Sequence, residues 1–494
     1  MSGDAAATTS ARSEPGDQRR ARFRDLFIAG QWRSGGAGER MPVVNPANGS
    51  ILADFAVATE RDCLDAVSAA AAAFPGWAST APRARSEILR RAYEILTDEA
   101  GAFAEIIVAE NGKAHGDAVA EAGYAKEFFR WFAEEAVRVP GDYKLSPSAD
   151  KRIVVSHEPI GVSLLITPWN FPAAMATRKL APALAAGCTC ILKPAAETPL
   201  TAAYMMDVLD RAGVPAGAVN LVTPRPAGPA VASMLAQPAV RKLSFTGSTE
   251  VGRTLLRECA DRVISASMEL GGNAPLIVLP GADIAAAVEG ALEAKMRNGG
   301  SACTAANRFY VHSGLHEEFV SAFTARLAQF RTGPGSDPGN DLGALVSVRE
   351  RDKVSSLVEG AVRDGAKVVL GGGQGEAGAF YEPTVLVGVQ HGSAINTTEI
   401  FGPVTAIVEY SDVDQAIAHA NDTEYGLAAY VFGEDREAMR VAHRLSAGMV
   451  AVNRGVLSDP SAPFGGTKQS GLGREGSSAG ILEFLEEKYI ATNL

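Results

Sequence analysis

Over residues 60–74, 83–109 and 119–137, apolar residues recur every three to four positions. That spacing stacks them on one face of a helix, so three helical segments are predicted. Past Gly141 the pattern changes. Short apolar runs at 161–166, 189–192, 219–222 and 242–245 each end in Pro/Gly punctuation and give way to a helical stretch. Strands alternating with helices predict a parallel sheet built from right-handed crossovers. A second alternating series follows Glu269, with helices at 315–330, 347–364, 412–420 and 435–446 and strands at 367–370, 404–408 and 449–452. It predicts a second α/β domain of similar size. The polar stretch 141–157 interrupts the first series and carries Arg152-Ile-Val-Val-Ser, and 487–494 is again strand-like. Two exposed edges, one mid-chain and one terminal, are candidates for pairing between subunits.

The length of 494 residues fits this two-domain reading, since single cores stop growing at roughly 250–300 residues. A net charge of −11 without any Lys/Arg-rich run argues against a nucleic-acid surface. No apolar stretch reaches the length of about 18 residues that a membrane helix needs. The five cysteines (63, 188, 190, 259 and 303) are odd in number and not spaced as a disulfide framework. Cys188 and Cys190 lie on an apolar run and read as core. His312 and His316 are spaced four apart, but Ser313-Gly314 between them marks a strand giving way to a helix, so no metal pair is expected. The setting read from this is reduced and cytoplasmic. Residues 1–20 are polar, lack an apolar segment and contain Asp4, Glu14 and Asp17, which predicts a disordered tail rather than a targeting signal.

No Gly-x-Gly-x-x-Gly follows a predicted strand. Instead Phe245-Thr-Gly-Ser-Thr-Glu-Val-Gly runs from a strand end into a helix starting near Ser248, where free N–H groups, Gly247 and Gly252 suit a phosphate. Lys193 follows another strand, at the crevice of an open α/β sheet. Cys303 sits in the glycine-softened turn Asn298-Gly-Gly-Ser-Ala-Cys-Thr, Glu269 in Met268-Glu-Leu-Gly-Gly-Asn, and Asn170 in Ile166-Thr-Pro-Trp-Asn-Phe-Pro. A thiol, a carboxylate and an amide are the parts of covalent chemistry on a carbonyl: nucleophile, general base and oxyanion donor.

These motifs, with Pro463-Phe-Gly-Gly-Thr-Lys-Gln-Ser-Gly-Leu-Gly-Arg-Glu-Gly near the end, resemble the aldehyde dehydrogenase superfamily over roughly residues 25–490. The resemblance implies an α/β fold of two Rossmann-like parallel-sheet domains plus a small β oligomerisation arm, in a homodimer or homotetramer. It implies a dinucleotide-binding domain at 21–140 and 160–268, a catalytic domain at 269–470, and arm strands at 141–159 and 484–494. NAD or NADP would be held by Thr167, Pro168, Trp169, Lys193, Ala196, Glu197, Arg225, Gly247, Ser248, Gly252, Leu270, Glu399 and Phe401, with no metal. Cys303 would attack the aldehyde, Asn170 and a backbone N–H at Cys303 would hold the oxyanion, and Glu269 would activate the water that hydrolyses the thioester.

Arg178, Arg297 and Ser458, in three separated motifs, resemble the carboxylate clamp of succinate-semialdehyde dehydrogenases, with Phe171 and Phe464 completing the substrate pocket. Two arginines beside the nucleophile suit an anionic aldehyde. Glutarate semialdehyde or a sulfonated aldehyde would present an anion equally well, and a thioester or ester hydrolase would use the same trio without a cofactor. The chain departs from that subgroup at Ser301-Ala302, where Gln-Thr is frequent, and at Thr304-Ala305, which removes a second nearby Cys. Many NAD-using relatives place Glu three residues after the ribose Lys; here that position is Ala196. Glu197, one step along an extended segment, is expected to face away. This weakens the bar to NADP, and Arg225 is placed to stack on adenine or approach a 2′-phosphate.

Overall fold

The apolar runs of the first series lie side by side as parallel strands in a computed structural model that describes residues 23–375 and 377–493. The expected disordered tail, 1–20, lies outside those residues. Val162–Ile166, Thr189–Lys193 and Val219–Leu221 succeed one another in one direction, while Val240–Thr246 and Ser265–Glu269 extend the sheet on the other side of Val162–Ile166. Ile166 pairs with Phe245 across that boundary. The strand order therefore reverses between these two strands, and their carboxyl ends open the crevice where an α/β sheet takes its ligand. Every residue of Val162–Ile166 is buried, as expected where helices cover both faces. Antiparallel strands finish both edges: Leu26–Ile28 with Gln31–Arg33 on one, Gly471–Leu472 on the other.

The second series forms a seven-stranded sheet in the order Lys367–Leu370, Thr384–Val387, Val404–Tyr410, Ala306–His312, Ala274–Val278, Ala428–Phe432, Met449–Val452. Only Lys367–Leu370 runs antiparallel. A third, antiparallel sheet joins Asp142–Leu145, Arg152–Pro159 and the C-terminal Leu485–Thr492, and leaves Tyr143, Leu145, Tyr489 and Ile490 exposed. Among the described residues no helix is long and apolar enough to cross a membrane.

Two helical expectations are corrected. The run 83–109 is two helices, Pro82–Asp98 and Ala100–Asn111, broken at Glu99 with φ −104° and ψ 14°. Arg211 grips the Glu99 carboxylate with both nitrogens at 2.9 and 2.8 Å, and Phe103 stacks on Tyr204 at 5.1 Å. These distant partners turn the chain where local periodicity carries on. The run 60–74 continues to Ala78 as the helix Glu60–Ala78, because Pro75 falls in its last turns and the buried Trp77 anchors its end.

Candidate active site

The helix Ile284–Met296 ends where the backbone turns left-handed three times running, at Asn298 (φ 55°), Gly299 (58°) and Gly300 (75°). This reversal aims Ser301–Thr304 back toward the first sheet. Gly300 is required there, since a Cβ on it would lie 2.2 Å from the Gly402 carbonyl oxygen. The turn is pinned by Asn298, whose backbone N–H donates to Asp117 at 3.0 Å and whose amide donates to the carbonyls of Asn170 (2.8 Å) and Ser301 (3.0 Å). On the other side Gly272 touches the loop: a Cβ on it would come within 2.4 Å of the Cys303 carbonyl oxygen. The Cys303 thiol is half-buried at the meeting of the two sheets. Burial pushes it up to about 12; Arg178 and Arg297 oppose that, while Glu269 and Glu399 reinforce it.

Glu269 ends the strand Ser265–Glu269 and is buried, with neither carboxylate oxygen hydrogen-bonded among the described residues. Burial, aided by the nearby Glu475, raises it well above the usual carboxylate range. An unpaired buried carboxylate costs folding free energy, and sites of chemistry are where such groups are kept. Asn170 follows the strand Val162–Ile166 and donates one amide hydrogen to the Ser301 carbonyl at 3.0 Å, which leaves the other free. Its own carbonyl accepts from the buried Lys113 at 2.8 Å. Asn170 is thereby tied to the nucleophile loop through both backbone and side chain.

Several of the residues expected on the cofactor side, Thr167, Lys193, Gly247 and Leu270, stand at or just past the carboxyl ends of the first sheet's strands. Ser248 caps the helix Thr249–Ala260, accepting from Val251 N–H at 3.4 Å. Gly247 and Gly252 are tight spots: a Cβ on either would meet Phe245 or Leu270 at 2.5 and 2.4 Å. The helix N-terminus is thus drawn close against the strand ends and suits a pyrophosphate. Thr167 donates its N–H to the Lys193 carbonyl at 3.1 Å, which joins the two neighbouring strand ends, and Pro168 follows it in the loop. Trp169 meets Phe401 edge-to-face at 5.3 Å, and Phe401 itself is held left-handed at φ 58°. Glu399 accepts from Gly272 N–H at 3.1 Å and is pushed up to about 7 by burial.

Lys193, Ala196, Glu197 and Arg225 line one cleft of about 630 Å³, roofed by Met41, Pro42 and Ser347. Here one expectation fails. Residues 196 and 197 form a turn rather than an extended segment, so the alternation argument does not apply. Glu197 faces the cleft and its charge acts on Lys193.

Arg297 and Ser458 line an open cavity of about 1040 Å³ with Met296 and Asp117, and Arg297 donates to the Ser458 hydroxyl at 3.4 Å. Phe171 lies between Lys113 (4.4 Å from its ring centre) and Arg297 (5.0 Å). Arg178 is less open than its motif suggests. It is 2% exposed, stacks on Phe464 at 4.0 Å, and forms an ion pair with Glu475 at 3.0 Å. Lys179 binds the same carboxylate at 2.7 Å.

Sequence reading missed a group on one stretch of chain: Lys113, and Asp117, Glu121 and Tyr124 on the helix His115–Glu135. Lys113 and Glu121 form a fully buried ion pair at 2.6 Å, and Glu121 also accepts the free N–H groups of Ala173 and Ala174 at the start of the helix Pro172–Ala186. That anchors the helix carrying Arg178 and Lys179. The available signal was the three- to four-residue spacing of these polar groups within an otherwise apolar helix face.

Comparison with known proteins agrees with this geometry. The aldehyde dehydrogenase family model matches residues 32–490. A succinate-semialdehyde dehydrogenase of Paenarthrobacter nicotinovorans is 48% identical over 442 residues, covering 89% of this chain and 98% of that protein. A glutarate-semialdehyde dehydrogenase of Pseudomonas putida is 44% identical, covering 95% and 97%. The crystal structure of an E. coli NADP-dependent enzyme superposes with a TM-score of 0.94 at 43% identity, covering 95% of this chain and 98% of its own. The chain that brings Cys303, Glu269 and Asn170 together between two parallel sheets belongs to the aldehyde dehydrogenase family.

Proposed function

We propose that this enzyme oxidises a small aldehyde bearing a second, anionic group, succinate semialdehyde first among them, to the corresponding acid with NAD or NADP. The observation that carries the substrate class is a cavity lined by Arg297, Ser458 and Tyr124, with Arg297 and Arg178 near enough for their charges to act on the Cys303 thiol. The names of the relatives, two of them semialdehyde dehydrogenases, support the same class. Glutarate semialdehyde and a sulfonated aldehyde remain within it, because both carry the anion.

In the first half of the reaction Cys303 Sγ, having lost its proton to solvent, attacks the carbonyl carbon as the thiolate, and the free amide hydrogen of Asn170 with the Cys303 N–H stabilises the oxyanion. Bound at the crevice, the nicotinamide nucleotide supplies the hydride acceptor, which leaves the acyl group on Cys303 as a thioester. Glu269 then takes a proton from water, whose oxygen attacks the thioester and releases the acid and the thiolate. Lys193, Glu197 and Arg225 would hold the adenosine end, Gly247, Ser248 and Gly252 the pyrophosphate, and Glu399 the nicotinamide ribose, with Thr167, Pro168, Trp169, Leu270 and Phe401 around the ring. This reading makes 21–140 and 160–268 the dinucleotide-binding domain and 269–470 the catalytic domain. The four exposed apolar residues of the three-stranded sheet favour assembly into a homodimer or homotetramer. Five free cysteines fit a reduced, cytoplasmic setting.

The test follows absorbance of the reduced cofactor with succinate semialdehyde, glutarate semialdehyde and butanal. Faster turnover of the acidic aldehydes at equal concentration is expected. Thioester or ester hydrolysis without any cofactor reduction would overturn the dehydrogenase reading.

A further inference from the structure

We infer that Asn111 and Lys113, at the turn joining the helices Ala100–Asn111 and His115–Glu135, are positioning residues that aim the Asn170 amide at the oxyanion. This rests on the reading above that Asn170 stabilises that oxyanion. The direction of a side chain is set by the two planar peptide units flanking its Cα, because φ and ψ are the only soft backbone angles. Both units flanking Asn170 are held from this one turn. The buried Asn111 amide donates to the Trp169 carbonyl at 2.8 Å, which fixes the plane ahead of Asn170. Lys113 Nζ donates to the Asn170 carbonyl at 2.8 Å, and the Asn298 amide fills the other lone pair of that oxygen, also at 2.8 Å. These two donors fix the plane behind it. With φ and ψ set, the Ser301 carbonyl at 3.0 Å orients the Asn170 amide and leaves its other hydrogen free.

The turn is held as firmly as the loop it grips. Lys113 is buried, and its charge is met by Glu121 at 2.6 Å, so the ammonium is kept in place. Glu121 also accepts the N–H groups of Ala173 and Ala174, which secures the far end of the Asn170 loop from the helix that follows the turn. Gly112, at φ 85°, donates its N–H to the Val108 carbonyl and accepts from the Ala344 N–H, both at 2.9 Å. A Cβ on Gly335 or Gly343 would strike the Lys113 or Gly112 carbonyl oxygen, so segment 335–344 lies against the turn backbone on backbone. Asn111 and Lys113 direct their hydrogen bonds at main-chain carbonyls of the loop and thus act through Asn170.

Asn111→Ala removes one of the donors and leaves the Lys113–Glu121 pair in place. With enzyme in excess over succinate semialdehyde and cofactor saturating, the single-turnover rate of cofactor reduction is expected to fall about tenfold. Asn170→Ala should lower that rate about a hundred- to a thousandfold. Adding Asn111→Ala to the Asn170→Ala enzyme should then change it by less than about twofold, since the group being aimed is gone. Iodoacetamide labelling of Cys303 forms no oxyanion and should stay within about twofold of wild type in Asn111→Ala. A wild-type rate in Asn111→Ala would overturn the proposal. Losses that multiply in the double variant, or labelling that falls as far as turnover, would show a general disturbance of the site and overturn it too. Lys113→Arg keeps the charge facing Glu121 and carries the same comparison where Asn111→Ala does not fold. A wild-type rate in Asn170→Ala would instead overturn the reading of Asn170 as oxyanion donor, and this inference with it.

Discussion

Gly272→Ala is the smallest change that tests whether the backbone contact between the two sheets positions the nucleophile. The added Cβ would lie 2.4 Å from the Cys303 carbonyl oxygen, where ordinary contact begins at 3.4 Å. About 1 Å must therefore be made up, and the atom in the way is backbone, on a loop pinned elsewhere by Asn298 and Asn170. Swinging a flexible side chain aside is not available. Overpacking of this kind costs about 1–3 kcal/mol of stability. The larger effect is kinetic, since a shift of about 1 Å in a reacting group lowers the rate roughly a hundredfold. The assay is kcat with saturating succinate semialdehyde and cofactor, beside a thermal melt that confirms folding. A folded Gly272→Ala enzyme with kcat within about twofold of wild type would refute the view that this contact places the thiol.

Four further outcomes are expected. Glu269→Gln should give a rapid burst of reduced cofactor followed by slow turnover, because the hydrolysis step loses its base; steady turnover at the wild-type rate would remove Glu269 from that step. Arg297→Ala should raise KM for succinate semialdehyde by about ten- to a hundredfold while affecting butanal much less, and equal damage to both would make Arg297 a structural residue. With the Cys303 thiol pushed up to about 12, little thiolate exists at pH 7 in the free enzyme, and the fraction grows about tenfold per pH unit below the pKa. Iodoacetamide labelling should thus keep accelerating through pH 9, and a plateau below pH 8 would contradict this. Glu197→Gln should raise the NADP-to-NAD ratio of kcat/KM by about tenfold, by removing the one acid that lines the cleft of Lys193 and Arg225 among the described residues, where the adenosine end is proposed to sit; an unchanged ratio would place cofactor choice elsewhere.

What the sequence made legible was whatever a strict local period or a contiguous motif encodes. The buried parallel strands read as short apolar runs because helices cover both of their faces, and Cys303, Glu269 and Asn170 stand each within a short motif of its own. Legibility stopped where distant segments decide. The break at Glu99 is set by Arg211 and Tyr204, more than a hundred residues away. The face of Glu197 depends on a turn at 196–197 that a period-two argument cannot register.

The ionic groups of the site show the same limit most fully. Glu121, on the helix His115–Glu135, is turned inward by packing against Pro172–Ala186 and pairs there with Lys113, while Asp117 on the same helix accepts from the Asn298 N–H. Arg178 read alone is a free cation awaiting a substrate carboxylate, yet Glu475, which lies in a different motif near the chain's end, has already taken its charge. A residue's charge is visible in the sequence, but whether that charge is still available is a property of the fold. Arg178 is ion-paired with Glu475, whereas Arg297 hydrogen-bonds the neutral Ser458 hydroxyl and forms no ion pair among the described residues, although the Asp117 charge acts on it, so Arg297 has the more charge to offer an incoming anion. The cost of losing each arginine should follow that difference: Arg297→Ala should act on binding of the acidic substrate, whereas Arg178→Ala should strand Glu475 and act on stability as well, by about 3–5 kcal/mol. Thermal melts of the two variants, read beside their KM values, separate the cases, and equal melting temperatures with equal KM effects would show the arginines to be equivalent after all.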